Sequence, residues 1–173
     1  AGATGRMGNM LIEAILATDD CRLSGALDIA SSPALGQDAS AFLGQASGVA
    51  VQSDVKAGLK DSGFLIDFTR PEGTLRHLEY CAEHGIKLII GTTGFDDAGK
   101  AAIRAAAEKT AIVFAPNMSI GVNAAFKLLA LAGKMLGEDW DVEIVEAHHP
   151  RKADAPSGTA LTLARAVEAG NDK

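Results

Sequence analysis

The chain has 173 residues, enough for one domain or for one domain and part of a second. At 47% hydrophobic and 22% charged it has the composition of an ordinary globular protein, and a formal net charge of −6 argues against a broad nucleic-acid-binding face. Cys21 and Cys81 stand far apart with no CxxC spacing, so two buried thiols in a reducing compartment are expected rather than a disulfide. No apolar run approaches membrane-spanning length and the start carries no signal-peptide pattern, which points to the cytoplasm.

The chain opens on AGATGRMG, a glycine-rich turn that ordinarily follows a strand, and stops at GNDK just after a helix, so flanking sequence is expected on both sides. Residues 5–18 have helical periodicity, with Met7, Met10, Leu11, Ala14 and Ile15 on one face. RLSGALD (22–28) reads as a strand ending on a carboxylate. Residues 29–48 read as a loop with a short helix near Ala41, VAVQ (49–52) as a short strand, and Ser53 as the cap of a helix through Lys60. GFLIDF (63–68) reads as a buried strand. Pro71 suits the first turn of a helix to His84, with Gly85 as its stop. IKLIIG (86–91) and AIVFA (111–115) are further apolar strands, separated by a helix from Asp96 to about Lys109. Ser119 begins a long helix to Gly137. DVEIVEA (141–147) reads as a half-exposed strand, and Ser157 or Asp154 opens a last helix.

Strands alternating with helices of about three turns predict an α/β fold with a Rossmann-like parallel sheet. The pattern changes near residues 116–122, so a dinucleotide-binding domain over 1–118 and a partial α+β substrate domain over 119–173 are expected.

Gly2, Gly5 and Gly8 form GxxGxxG, one residue longer than the common fingerprint. Glycines allow a tight turn and close approach to a pyrophosphate, and the helix behind them offers unpaired N–H groups. Alone the pattern is weak. It gains weight from Asp28, twenty residues beyond Gly8 at a strand end, where a carboxylate can take ribose hydroxyls. Ile29 after it does not suit a 2′-phosphate, so NADH is expected to be at least acceptable, while Arg6 leaves NADPH open. The loops DFTRP (67–71), GTTGF (91–95) and APNMS (115–119) fall at further strand ends, where an open parallel sheet binds its ligand. Small residues and backbone groups at GTTG suit a flat nicotinamide ring.

EAHHPRKADAPSGTA (146–160) gathers two imidazoles, an arginine and a lysine before a helix start. Adjacent histidines in an extended segment point to opposite sides and lack the spacing of zinc ligands, so no metal site is expected. A solvated loop accounts for the composition equally well. The helix start at Ser157, Gly158 and Thr159 tilts the reading toward an anion pocket for a small dicarboxylate, with one histidine able to deliver a proton near neutrality.

With AGATGRMG, DFTRPEGT, GTTGF and APNMSIGVN, this loop closely resembles dihydrodipicolinate reductase of the diaminopimelate and lysine pathway, over nearly the whole chain. The resemblance implies hydride transfer from NADH or NADPH to a cyclic imine dicarboxylate, with hydroxy-tetrahydrodipicolinate converted to tetrahydrodipicolinate and water lost. By motif position His148 is the implied proton donor, and Lys152 a second catalytic group that also meets substrate. His149, Ser157, Gly158 and Thr159 are the implied grip on the carboxylates. Gly2, Ala3, Thr4, Gly5, Arg6, Met7 and Asp28 fall on cofactor positions, as do Phe68, Gly91, Thr92, Thr93, Ala115, Pro116, Asn117 and Met118. The family has a strand before the glycine turn, continues beyond residue 173, and assembles as homotetramers through that continuation.

Two other readings share parts of this pattern. A different NAD(P)-dependent dehydrogenase of the same fold would need its own catalytic group, and neither cysteine sits in a nucleophile motif. A non-catalytic dinucleotide-binding sensor would keep the glycine turn and Asp28 but has no need of both His148 and Lys152.

Overall fold

The computed structural model describes residues 1–148 and 155–171, in two compact units, Ala1–Phe114 and Ala115–Lys173.

In the first unit, α1 (Arg6–Leu16) follows the glycine turn and leads to β1 (Ala26–Leu27). A loop with one 3-10 turn at Ala41–Leu43 returns the chain to β2 (Val51–Gln52), parallel to β1. Helix α2 (Val55–Leu59), β3 (Phe64–Asp67), α3 (Pro71–His84), β4 (Lys87–Ile90), α4 (Asp97–Ala107) and β5 (Ile112–Phe114) follow. Strands β3, β4 and β5 form a parallel sheet in that order, with Leu65 opposite Leu88 and Ile89 opposite Val113. The segment Ala1–Ala3 touches both sheets: the Ala1 nitrogen donates to the Ile66 carbonyl at 2.7 Å and Ala3 N–H to the Leu27 carbonyl at 2.9 Å. This is a Rossmann-like α/β arrangement, with helical crossovers between parallel strands.

The helix ends follow local chemistry. Pro71 occupies the first turn of α3, and Gly85 closes it at φ +68°, a left-handed value that favours glycine. Asp96 caps α4 by accepting from Gly99 N–H at 2.7 Å. For α2 the cap is Asp54, not Ser53: its carboxylate accepts from Ala57 N–H at 2.6 Å, a position Ser53 is one residue too early to serve. Leu27, Leu65, Leu78, Leu88, Ile90 and Ile103 centre the core. Each contributes about 1.5–3 kcal/mol by leaving water.

Two sequence expectations change here. The buried side of α1 carries Gly8 and Ile12, while Met7 and Met10 are exposed, because Gly8 lies directly on the glycine turn and rotates that face inward. Both cysteines are free thiols, but Cys21 is exposed in the turn after α1. Only Cys81 is buried, and burial, reinforced by the charge of Asp67, pushes its thiol up to about 12.

In the second unit, α5 (Ile120–Leu136) packs on α6 (Gly158–Asn171). Two glycines make the crossing close. A Cβ on Gly170 would lie 2.0 Å from the Ala130 carbonyl oxygen, and one on Gly133 2.5 Å from that of Val167. Residues 141–147, expected as a strand, are not one. Alternating apolar residues make a strand only when a neighbour takes their backbone hydrogen bonds, and no pairing partner lies beside them among the described residues. Val142 and Val145 are exposed. No helix among the described residues is long and apolar enough to cross a membrane.

Candidate functional site

The C-terminal ends of β1, β3 and β4 carry the candidate cofactor residues of the first unit. Gly2 takes φ +74° and is pressed against the next loop: a Cβ there would lie 3.2 Å from both the Phe68 carbonyl oxygen and Thr69 Cγ2. Gly8 is packed still more tightly, since its Cβ would sit 2.1 Å from the Gly2 oxygen. Helix α1 therefore starts directly under the turn. Gly5 is its N-cap without a side-chain cap, so the first-turn amides of Arg6 and Met7 have no intrahelical partner. Gly91 leaves room for the Phe68 ring, which would lie 2.1 Å from a Cβ at that position. Thus Gly2–Met7, Phe68 and Gly91–Thr93 converge on one sheet edge.

Asp28 joins this edge through Thr4. Its Oδ2 accepts from Thr4 N–H at 2.9 Å and from the Thr4 hydroxyl, while Oδ1 accepts from Ile29 N–H at 2.8 Å. Burial works against ionisation, but the hydrogen bonds from Thr4 and Ile29 outweigh it and hold the carboxyl below its usual range. A charged acceptor beside an uncapped helix start and a glycine turn fits the ribose and pyrophosphate of a dinucleotide. The sequence paired Asp28 with the turn, while Thr4 as the physical link emerges only from the fold.

A groove of about 490 Å³ in this unit lies elsewhere. It is lined by Leu11 and Ile15 and, at the N-terminal ends of β1 and β3, by Ser24, Gly25, Gly63 and Phe64. Its lining is mostly apolar, with Asp20, Arg22 and Asp61 also on it, and it contains none of the candidate catalytic residues, so a cavity alone does not mark the site.

One cluster at the sheet edge escaped the sequence reading. Asp67 closes β3 and is fully buried. His77 Nδ1 lies 2.7 Å from its Oδ2, which places a proton on that nitrogen. Thr69 donates to Oδ1 from N–H at 3.0 Å and from its hydroxyl at 2.6 Å, and the Thr74 hydroxyl lies 3.1 Å away. Burial opposes the charge, yet the bonds from His77 and Thr69 prevail and lower its pKa. The available signal was a single carboxylate inside the apolar run GFLIDF.

In the second unit, Ala115, Pro116, Asn117 and Met118 follow β5 directly and lead into α5. Asn117 Oδ1 accepts from Ser119 N–H at 2.9 Å, and Asn123 Nδ2 donates to the Asn117 carbonyl at 3.0 Å. Ser157 caps α6 by accepting from Ala160 N–H at 3.0 Å. Its own N–H donates to Glu146 Oε1 at 2.8 Å, and Glu146 Oε2 lies 2.9 Å from His148 Nε2. Hydrogen bonds from Ser157 and then His148 lower the Glu146 carboxyl to about 2. The cap and Glu146 occupy Ser157, so among the described residues Gly158 and Thr159, in the first turn of α6, are the amide donors without a partner. Glu146 is the residue sequence reasoning missed here. His149 and Lys152 lie outside the described residues.

Comparison with known proteins identifies the family. The family model described as dihydrodipicolinate reductase, N-terminus, matches residues 1–118, and that described as its C-terminus matches residues 121–173. A 4-hydroxy-tetrahydrodipicolinate reductase of Herminiimonas arsenicoxydans is 68% identical over 167 residues, covering 96% of this chain and 62% of its own length. A protein of the same name from Burkholderia pseudomallei is 54% identical over the whole chain and 65% of its own. The chain thus spans somewhat under two thirds of these relatives. A dipicolinate-bound dihydrodipicolinate reductase from Paenisporosarcina sp. TG-14 superposes with a TM-score of 0.75 at 29% identity, covering 96% of this chain and 63% of that one. With both halves of the family matched along its length, the chain belongs to the dihydrodipicolinate reductase family.

Proposed function

We propose that the chain supplies the cofactor-binding and proton-donating parts of a 4-hydroxy-tetrahydrodipicolinate reductase of lysine and diaminopimelate biosynthesis. The observation that carries this reading is the convergence of Gly2–Met7, Asp28, Phe68 and Gly91–Thr93 on one sheet edge in a member of this family. Residues 1–118 are assigned to the dinucleotide domain and 119–173 to the substrate domain.

When bound, the nicotinamide supplies the hydride. The amides of Arg6 and Met7 meet the pyrophosphate, and Asp28 takes the ribose hydroxyls. Phe68, Gly91, Thr92 and Thr93 hold the nicotinamide end, and Ala115, Pro116, Asn117 and Met118 of the second unit are assigned to the cofactor by their motif position. Thr92 is buried, so it contributes through its backbone. Ile29, exposed beside Asp28, offers nothing to a 2′-phosphate, so NADH is accepted, while the exposed Arg6 keeps NADPH a substrate.

In the second unit, Gly158 and Thr159 grip a substrate carboxylate through their amides, with His149 and Ser157 beside them. His148 donates the proton that balances hydride arrival, and Glu146 holds its ring by Nε2, while Nδ1 meets no hydrogen-bond partner among the described residues. Lys152, with a reference pKa near 10.4, stays cationic and stabilises charge developing on the ring nitrogen. The substrate is the cyclic imine dicarboxylate. The whole protein is assigned to the cytoplasm, with no nucleic-acid or membrane partner expected, and to a homotetramer where it carries the family's continuation beyond residue 173.

The test is NADH oxidation by the whole protein with the cyclic imine, comparing wild type with His148→Gln and Lys152→Met. Each variant should lose at least about a hundredfold in turnover while NADH binding persists, the range of a lost general acid or transition-state cation. Full turnover in both variants would refute the mechanism, and absence of NADH binding in the wild type would refute the cofactor assignment.

A further inference from the structure

The buried Asp67 network has no part in the chemistry above, and its placement is costly. Removing a carboxylate from water is strongly unfavourable unless charge and hydrogen bonds offset it. Every other residue of β3 is apolar, and an aliphatic side chain there would simply extend the core.

Its partners show where that cost is spent. Two of them, Thr69 and Thr92, lie on loops that both carry proposed nicotinamide contacts, and the other two, Thr74 and His77, lie on α3. Thr69 follows Phe68, and Thr92 is the middle residue of Gly91–Thr93. The Thr92 oxygen accepts from Thr69 N–H at 3.0 Å and from the Thr74 hydroxyl at 2.9 Å, and lies 3.3 Å from Asp67 Oδ1, to which it gives its proton. A hydroxyl has one proton and two lone pairs, so Thr92 is fully used inward. Gly91 N–H meanwhile donates to the Asp67 carbonyl at 2.9 Å. Asp67 therefore holds the Gly91–Thr93 loop through both main chain and side chain, and the same carboxylate fixes Thr69. His77 on α3 restrains the remaining carboxylate oxygen.

We propose that Asp67, with His77, Thr74 and Thr92, is a positioning residue that sets the Gly91–Thr93 backbone against the Phe68 ring so that the two form the seat of the nicotinamide. The inference rests on the NADH assignment above and makes Asp67 selective for one end of the cofactor. The adenosine and pyrophosphate end is held by Gly2–Met7 and Asp28, which the network does not bond.

The experiment compares binding of NADH and of ADP-ribose, which lacks the nicotinamide, to the whole protein and its variants. Thr74→Val keeps the side-chain shape and removes the hydroxyl, Thr74→Ser keeps the hydroxyl, and Asp67→Asn removes the charge. Loss of one buried hydrogen bond predicts NADH binding weakened about fivefold or more in Thr74→Val, with ADP-ribose unchanged and Thr74→Ser like wild type. Asp67→Asn, where it folds, should show the larger shift in the same ratio. Equal weakening of both ligands, an unchanged ratio, or a Thr74→Val protein that no longer folds would each place the network in the core alone and overturn the inference. A wild type that binds ADP-ribose but not NADH would overturn the nicotinamide assignment together with the inference, and a wild type that binds neither would overturn the dinucleotide reading itself.

Discussion

Replacing Gly8 by alanine puts helix propensity and packing in direct opposition. Within α1 an alanine is favoured over glycine by about 1 kcal/mol from propensity alone. Its Cβ, however, would stand 2.1 Å from the Gly2 carbonyl oxygen, 2.5 Å from the Ala3 oxygen and 2.7 Å from the Ala3 carbonyl carbon. The first of these is about 1.3 Å short of ordinary van der Waals contact, and all three neighbours are backbone, which cannot rotate away. Helix and turn must separate, and with three backbone atoms approached at once the overpacking cost falls in the upper part of the usual range, about 2–3 kcal/mol. The expected net is a loss of about 1–2 kcal/mol and a fall in Tm of about 2–8 °C. The same displacement moves the amides of Arg6 and Met7, so NADH affinity should fall about tenfold or more, as a 1.4 kcal/mol loss implies. Gly121→Ala is the control: Gly121 is exposed in α5, and its Cβ would meet nothing nearer than Ser119 Oγ at 3.9 Å. That variant should be neutral or up to about 1 kcal/mol more stable. Thermal unfolding and NADH titration of both proteins decide the matter. If Gly8→Ala is as stable as wild type and binds NADH equally, the close packing of turn and helix is not what holds this edge.

The second unit offers the same contest at Gly170, where an alanine Cβ would lie 2.0 Å from the Ala130 oxygen. Gly170→Ala should destabilise the α5–α6 pair by about 1–3 kcal/mol despite its better propensity, read as earlier loss of helical signal on heating, and a gain in stability would contradict the crossing described. Glu146 should titrate near pH 2 rather than at its ordinary 4.5. Because its folded pKa is depressed, the stabilisation it gives the His148–Ser157 link is fully present above pH 4.5 and disappears as pH falls toward 2. Carbon-detected NMR of the side-chain carboxyl follows this directly, and an ordinary midpoint would mean that Ser157 and His148 do not hold it in solution.

Much of the first unit was legible in the sequence because its signals are local. Pro71 and Gly85 bracket α3, Asp96 caps α4, and the apolar runs at 64–67 and 87–90 are strands, as their composition requires. The glycine turn with Asp28 twenty residues on could be paired because fingerprint and carboxylate keep a fixed distance along the chain. The expected strand at 141–147 failed for the complementary reason: alternation describes a face, but a strand exists only where a second backbone accepts its hydrogen bonds.

Sequence by itself thus determined the alternation of elements, the glycine turn, the acid after it and the family. These depend on neighbours within a few residues or on motif spacing. Tertiary structure alone decided which loops touch. Nothing in the order of residues says that Asp67, Thr69, Thr74, His77 and Thr92 share one buried carboxylate, that Phe68 lies across Gly91, or that Glu146 joins His148 to the head of α6. Those contacts join residues that chain order separates by up to 25 positions, and only packing brings them within hydrogen-bonding distance.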